Sequence, residues 1–190
     1  MSEPRMARWR PYFIALVILA ELAHLAWEYF NGGVRSHHVL NRADLPEISN
    51  AWGLLLLPAL AWFLSGRIQK RIALQTRASA DASKLPMSVV AGFAGALLFG
   101  VVLSASFTYD YDNVASVMFR AMFLLALLLP VYRAECVLGF VLGMTFTFGA
   151  VLPTGIGSIF AALSAVAHLL VRPVLIRLWR RLRDMRSTAA

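Results

Sequence analysis

The sequence predicts an all-α protein embedded in a membrane, a bundle of about six transmembrane helices with both termini cytoplasmic. Three observations lead there. The 190 residues are 59% hydrophobic, with a mean hydropathy of +0.68, more apolar than a soluble domain of this size. Uncharged runs are long enough to cross a bilayer: no charged residue occurs across 85–107, and about 20 helical residues suffice. The basic residues also fall in alternate connections between those runs.

Taken in order, the apolar runs place spans near 11–30, 49–65, 86–108, 114–131, 135–152 and 155–174. The first follows Arg5, Arg8 and Arg10 and superficially resembles a signal peptide. Glu21, His24 and Glu28 interrupt it and no small-x-small site follows, so it reads as a retained helix. Pro58 marks a kink in the second span. Gly92, Ala96 and Gly100 in the third, with Gly139 and Gly143 in the fifth, are spaced for close approach of helix backbones, either within one chain or between copies in a homo-oligomer. Pro153, Gly155 and Gly157 favour a break between the fifth and sixth spans. No domain boundary is evident within 1–190. The connections are an outer loop over 31–48, a cytoplasmic loop over 66–85 and a basic tail over 175–190.

Orientation follows from charge. Of the 18 basic residues, 14 lie before span 1, between spans 2 and 3, between spans 4 and 5, or after span 6, and Arg172 lies at the inner end of span 6 itself. Only Arg35 and Arg42 lie on the other side, and Arg120 lies within span 4. The positive-inside rule then puts both ends in the cytoplasm, as expected in a bacterial-type inner membrane. The +8 formal charge is accounted for by this topology and by attraction of the tail RPVLIRLWRRLRDMR to membrane lipids; no nucleic-acid partner is expected. Trp27 and Trp52 toward one boundary, with Trp9, Trp62 and Trp179 toward the other, form the aromatic belts.

Three of the four histidines fall within fifteen residues, at positions 24, 37 and 38. Glu21, His24 and Glu28, separated by three and four residues, share one helix face, and charged groups at that depth must face the bundle interior or a wet cavity. Arg120, at nearly the depth of Glu21, is expected to pair with it, with His168 nearby but deeper. Beyond the Asn31-Gly32-Gly33 turn, Ser36 is expected to cap a short helix carrying His37 or His38, Asn41 and Asp44. Folded back over span 1, that loop would bring His37 or His38 toward His24 and Glu28. Asp110 and Asp112 lie on the same side, as a cation site or as a solvated turn.

Three uses fit this grouping. Imidazole and carboxylate ligands from His24, Glu28, His37, His38 and Asp44 suit one divalent ion, zinc, iron or manganese, with an open position to activate water. Alternatively Glu21 or Glu28 acts as a general base without metal, with Arg120 neutralising developing charge. The third use is hydrogen-bonded packing. The lone Cys136 excludes an internal disulfide, and no phosphate-binding glycine loop, nucleophile elbow or H-E-x-x-H pattern is present. The expected function is therefore a membrane-embedded enzyme acting, by hydrolysis or isomerisation, on a lipid or other hydrophobic or amphipathic small molecule at an outer-leaflet site. A small proton-coupled transporter and a non-catalytic scaffold subunit are the alternatives.

Overall fold

The structure is a computed structural model that describes residues 3–38, 44, 47–78 and 84–187. Helix α1 (Glu3–Phe30) leads into a two-stranded antiparallel hairpin, β1 (Ser36–His38) and β2 (Glu47–Ser49). A 3-10 turn over Asn50–Trp52 then opens α2 (Gly53–Ala78), followed by α3 (Lys84–Thr108), α4 (Asp112–Leu128), α5 (Ala134–Phe148) and α6 (Val151–Ala165). A π-helical stretch, Val166–Val171, joins α6 to α7 (Arg172–Ser187). The helix thus continues into the basic tail, and α2 extends through most of the region expected as the 66–85 loop.

Helix α1 begins upstream of the expected span, so Pro11 lies inside it. It stops where Gly32 and Gly33 take φ of +115° and +101°, a conformation open mainly to glycine. That turn lets Gly33 N donate to Glu28 O at 3.0 Å, adding to the bond from Asn31 N to the same carbonyl at 3.0 Å and closing the last turn of the helix. The break between α5 and α6 falls at Gly149, with φ +65°, and not at 153–157. Pro153 is the third residue of α6, where no intrahelical donor is lost.

The closest helix pair is α3 and α5, which run parallel. A Cβ on Gly139 or Gly143 would overlap the carbonyls of Phe93 or Leu97, and one on Gly100 would come within 2.7 Å of Phe140 O. The glycine rows are therefore used within the chain, giving backbone-to-backbone packing. Thr147 of α5 binds Ser104 and Thr108 of α3 through side-chain hydroxyls. The antiparallel pair α1–α2 is tied by Arg10, which donates to Trp62 O at 2.6 Å and Ser65 Oγ at 3.2 Å. Leu57, Ala61, Leu103, Leu138, Val141 and Met144 fill the centre.

Outward faces are apolar as well: Leu16, Leu19, Leu98, Leu124 and Ile159 are all exposed. Water would not tolerate so much exposed aliphatic surface on long helices, whereas hydrocarbon would. Among the described residues, four helical segments, Trp9–Phe30, Asn50–Gln75, Met87–Thr108 and Val151–Arg181, are long and apolar enough to cross a membrane; α4 and α5 are shorter. All five tryptophans are exposed, as interfacial anchors would be. The surface points to a membrane-embedded protein.

Candidate functional site

Near the hairpin end of α1, the spacing of Glu21, His24 and Glu28 turns all three toward α2 and α5. Glu21 is 3% exposed and Glu28 2%. His24 Nδ1 faces Glu21 Oε2 at 3.7 Å, and His24 Nε2 faces Glu28 Oε1 at 3.5 Å. These are ion-pair contacts, longer than formed hydrogen bonds, and both ring nitrogens and Glu21 Oε1 are buried without a hydrogen-bond partner.

The surroundings are shaped to hold the group. Gly53 of α2 lies against Glu21 so closely that a Cβ there would overlap Oε1. Glu28 accepts from Asn50 Nδ2 at 2.7 Å and from the Arg35 backbone N at 3.2 Å. Asn50 N in turn donates to Arg35 O at 2.9 Å, extending the ladder of the hairpin, in which His37 stands opposite Ile48. Glu28 thus fastens the bases of both strands over the end of α1. Asn50 Oδ1 fits against Gly149, where a Cβ would overlap it. On the outward side the cover is thin. Phe146 stacks on His24 with ring centres 5.1 Å apart, and Trp27 packs on Phe146 at 5.5 Å; Phe146 is 56% exposed.

Several expectations require correction. Arg120 does not pair with Glu21: it is exposed on α4, and its Nε donates to Ser116 O at 3.1 Å. Helix α4 packs on α3 and α6, while α1 packs on α2, so matching depth did not mean adjacency. His168 is likewise elsewhere, its Nδ1 3.0 Å from Ser164 O and its ring 6.1 Å from that of Tyr132. Ser36–His38 is a strand paired with Glu47–Ser49 and not the start of the helix expected from Ser36, with Arg35 and Asn50 held side by side at the base of the pair.

His37 comes to the cover of the site, packed near Phe148 with ring centres 6.4 Å apart and with Nε2 buried and unpartnered. Burial lowers its pKa from the ordinary histidine value, with Glu28 opposing the shift and Arg35 adding to it. Asp44 is exposed in the connection between β1 and β2, and Asn41 and the side chain of His38 lie outside the described residues. Asp110 and Asp112 are exposed at the α3–α4 turn. Among the described residues, no three His, Cys, Asp or Glu side chains converge as a metal-ligand set. The five-residue set of His24, Glu28, His37, His38 and Asp44 is therefore not assembled by the described side chains.

Sequence reasoning missed Asn50, Gly53, Phe146 and Gly149 as parts of the site. Asn50, a polar residue at the mouth of an apolar span, carried a signal; the others are recognisable only once α2 and α5 are packed against α1. In comparisons with known proteins, the chain matches no family model, no curated protein and no solved structure.

Proposed function

We propose that the protein crosses a bacterial-type inner membrane six times with both ends cytoplasmic, and that Glu21, His24 and Glu28 form an acid–base centre serving a lipid or other membrane-soluble substrate. The topology rests on the distribution of basic residues and on the parallel α3–α5 pair, which needs α4 to return across the bilayer between them. The reaction class rests on one observation: an imidazole bracketed by two buried carboxylates.

A neutral imidazole has one N–H and one lone pair. With both nitrogens facing ionised carboxylates, one contact would set lone pair against lone pair. One added proton, on the ring or on a carboxyl group, relieves that contact and lowers the buried charge. The group is thus built to take up and release a proton, the elementary step of general acid–base catalysis. Glu28 already accepts N–H donors on both oxygens, which favours the proton over a divalent metal as the exchanging ion. The hairpin and its hydrogen bonds stand toward water, whereas two aromatic rings stand toward hydrocarbon. Displacement of Phe146 would admit a substrate from the lipid side.

Proton-coupled transport is the second reading, favoured by the burial inside a helix bundle of two carboxylates and an imidazole that can change their protonation state.

Carbodiimides, which modify protonated carboxyl groups, test the lipid-side centre. A membrane-soluble carbodiimide should label Glu21 or Glu28 in the reconstituted protein, detected by peptide mass spectrometry, and faster in Phe146→Ala; a water-soluble one should not. Absence of labelling by the membrane-soluble reagent in both proteins, or labelling by the water-soluble reagent alone, would overturn the proposal. Elemental analysis of the same preparation, purified without chelator, should find no stoichiometric zinc, iron or manganese; finding one that His24→Ala removes would replace the metal-free centre with a metal centre.

A further inference from the structure

A cavity of about 400 Å³ lies between α3, α4, α5 and α6, toward the end of the bundle opposite the hairpin. Its walls are mainly apolar, with Phe99, Met122, Phe140 and Phe160 among them. Gly95 of α3 helps to keep it open, since a Cβ there would meet nothing within 4 Å. The volume is near the lower end of the roughly 300–1,000 Å³ of small-molecule pockets, suited to one hydrocarbon chain and part of a headgroup.

Two charged residues also line it, Arg133 and Glu135. Glu135 is 1% exposed; its Oε1 is bound by Arg71 Nη1, and its Oε2 is buried without a partner. A buried carboxylate oxygen without a donor carries an uncompensated desolvation cost, and Glu135 is one of the residues lining the cavity, so a small shift of its side chain would bring that oxygen to a donor there. Arg133 is half-buried and makes no ion pair with any described residue. With Arg71 and Glu135 neutralising each other, Arg133 leaves the cavity with one net positive charge, beside the buried and unpartnered Oε2 of Glu135.

We propose that this cavity binds an anionic, hydroxyl-bearing phospholipid from the adjoining leaflet. An acyl chain fills the apolar part, the phosphate meets Arg133, and a headgroup hydroxyl donates to Glu135 Oε2. A fatty acid would satisfy Arg133 but leave Glu135 Oε2 without a donor, and an amine would be repelled by Arg133. The proposal does not rest on the acid–base centre, which lies at the other end of the bundle.

The test is native mass spectrometry of the full chain in mild detergent, titrated with phosphatidylglycerol, phosphatidylmethanol (equally anionic but without the hydroxyl) and phosphatidylcholine. Phosphatidylglycerol should bind about tenfold more tightly than phosphatidylcholine, the scale of one charge-assisted contact, with phosphatidylmethanol between them. Gly95→Leu fills the cavity from a position with free space and should abolish that preference while thermal stability is retained. Arg133→Gln should remove the preference for phosphatidylmethanol over phosphatidylcholine and leave phosphatidylglycerol only the smaller advantage of its hydroxyl. Equal binding of phosphatidylglycerol and phosphatidylcholine, or a preference unchanged in Gly95→Leu, would overturn the site. Equal binding of phosphatidylglycerol and phosphatidylmethanol would overturn the role given to Glu135.

Discussion

Removing the Glu28 carboxylate should release the hairpin. Glu28→Ala leaves Asn50 Nδ2 and the Arg35 amide, now bonded to it at 2.7 and 3.2 Å, without their acceptor, and takes one carboxylate from His24. Hydrogen bonds to a charged group are worth about 1.5–3 kcal/mol each, and breaking one side of a buried charged contact costs about 3–5 kcal/mol. Because the two estimates overlap in what they count, the expected loss is about 3–5 kcal/mol, concentrated where Glu28 holds the strands. At 1.4 kcal/mol per factor of ten, amide exchange across 35–38 and 47–50 should accelerate by about 100-fold or more. Glu28→Gln keeps one acceptor and turns an N–H toward the other donor, so its effect should be intermediate. Hydrogen exchange with mass spectrometry in lipid nanodiscs reads this directly. Exchange in the hairpin of Glu28→Ala indistinguishable from that of the unaltered protein would refute the reasoning.

Other consequences follow from the same contacts. His37 has its pKa lowered by burial, so an open hairpin binds a proton more readily than a closed one. The closing contribution of His37 is present above the ordinary histidine value of 6.5 and lost as pH falls below it toward the depressed value; hairpin protection, taken relative to the intrinsic exchange rate at each pH, should fall on acidification, and His37→Phe should flatten that fall. Gly149→Ala places a side chain at φ +65° and ψ −173°, a backbone region essentially reserved for glycine, and against Asn50, costing about 1–3 kcal/mol, seen as a lower Tm. Arg71→Ala alone leaves Glu135 buried and unpaired and should cost about 3–5 kcal/mol, whereas replacing both residues by apolar ones of similar size should be near neutral or stabilising. Gly143→Val should separate α3 from α5 and lower thermal stability by about 1–3 kcal/mol, the usual scale of overpacking.

Much of the architecture was legible because membrane burial leaves a strong one-dimensional record. Long apolar runs located the major helices, and the small-residue rows in α3 and α5 marked the closest packing pair. Spacing along α1 was equally legible: three and four residues between Glu21, His24 and Glu28 place them on one face whatever surrounds the helix. Contacts between helices were not legible. Depth alone suggested Arg120 as the partner of Glu21, but depth does not specify which helices are neighbours. The hairpin was hidden because its strands have only three residues each and are held by Glu28 from outside the segment. Gly149, in place of Pro153, set the α5–α6 break because a positive φ stops a helix, whereas proline in a first turn does not.

The most direct test of the proposed acid–base centre is infrared difference spectroscopy of the lipid-reconstituted protein during a pH titration, with isotope-labelled histidine and with Glu21→Gln, His24→Gln and Glu28→Gln in parallel. A linked change in the imidazole and carboxyl bands, lost in each of the three variants while helicity is retained, is the predicted result. Imidazole and carboxyl bands that change independently, or the same change persisting in His24→Gln, would contradict a proton shared by Glu21, His24 and Glu28.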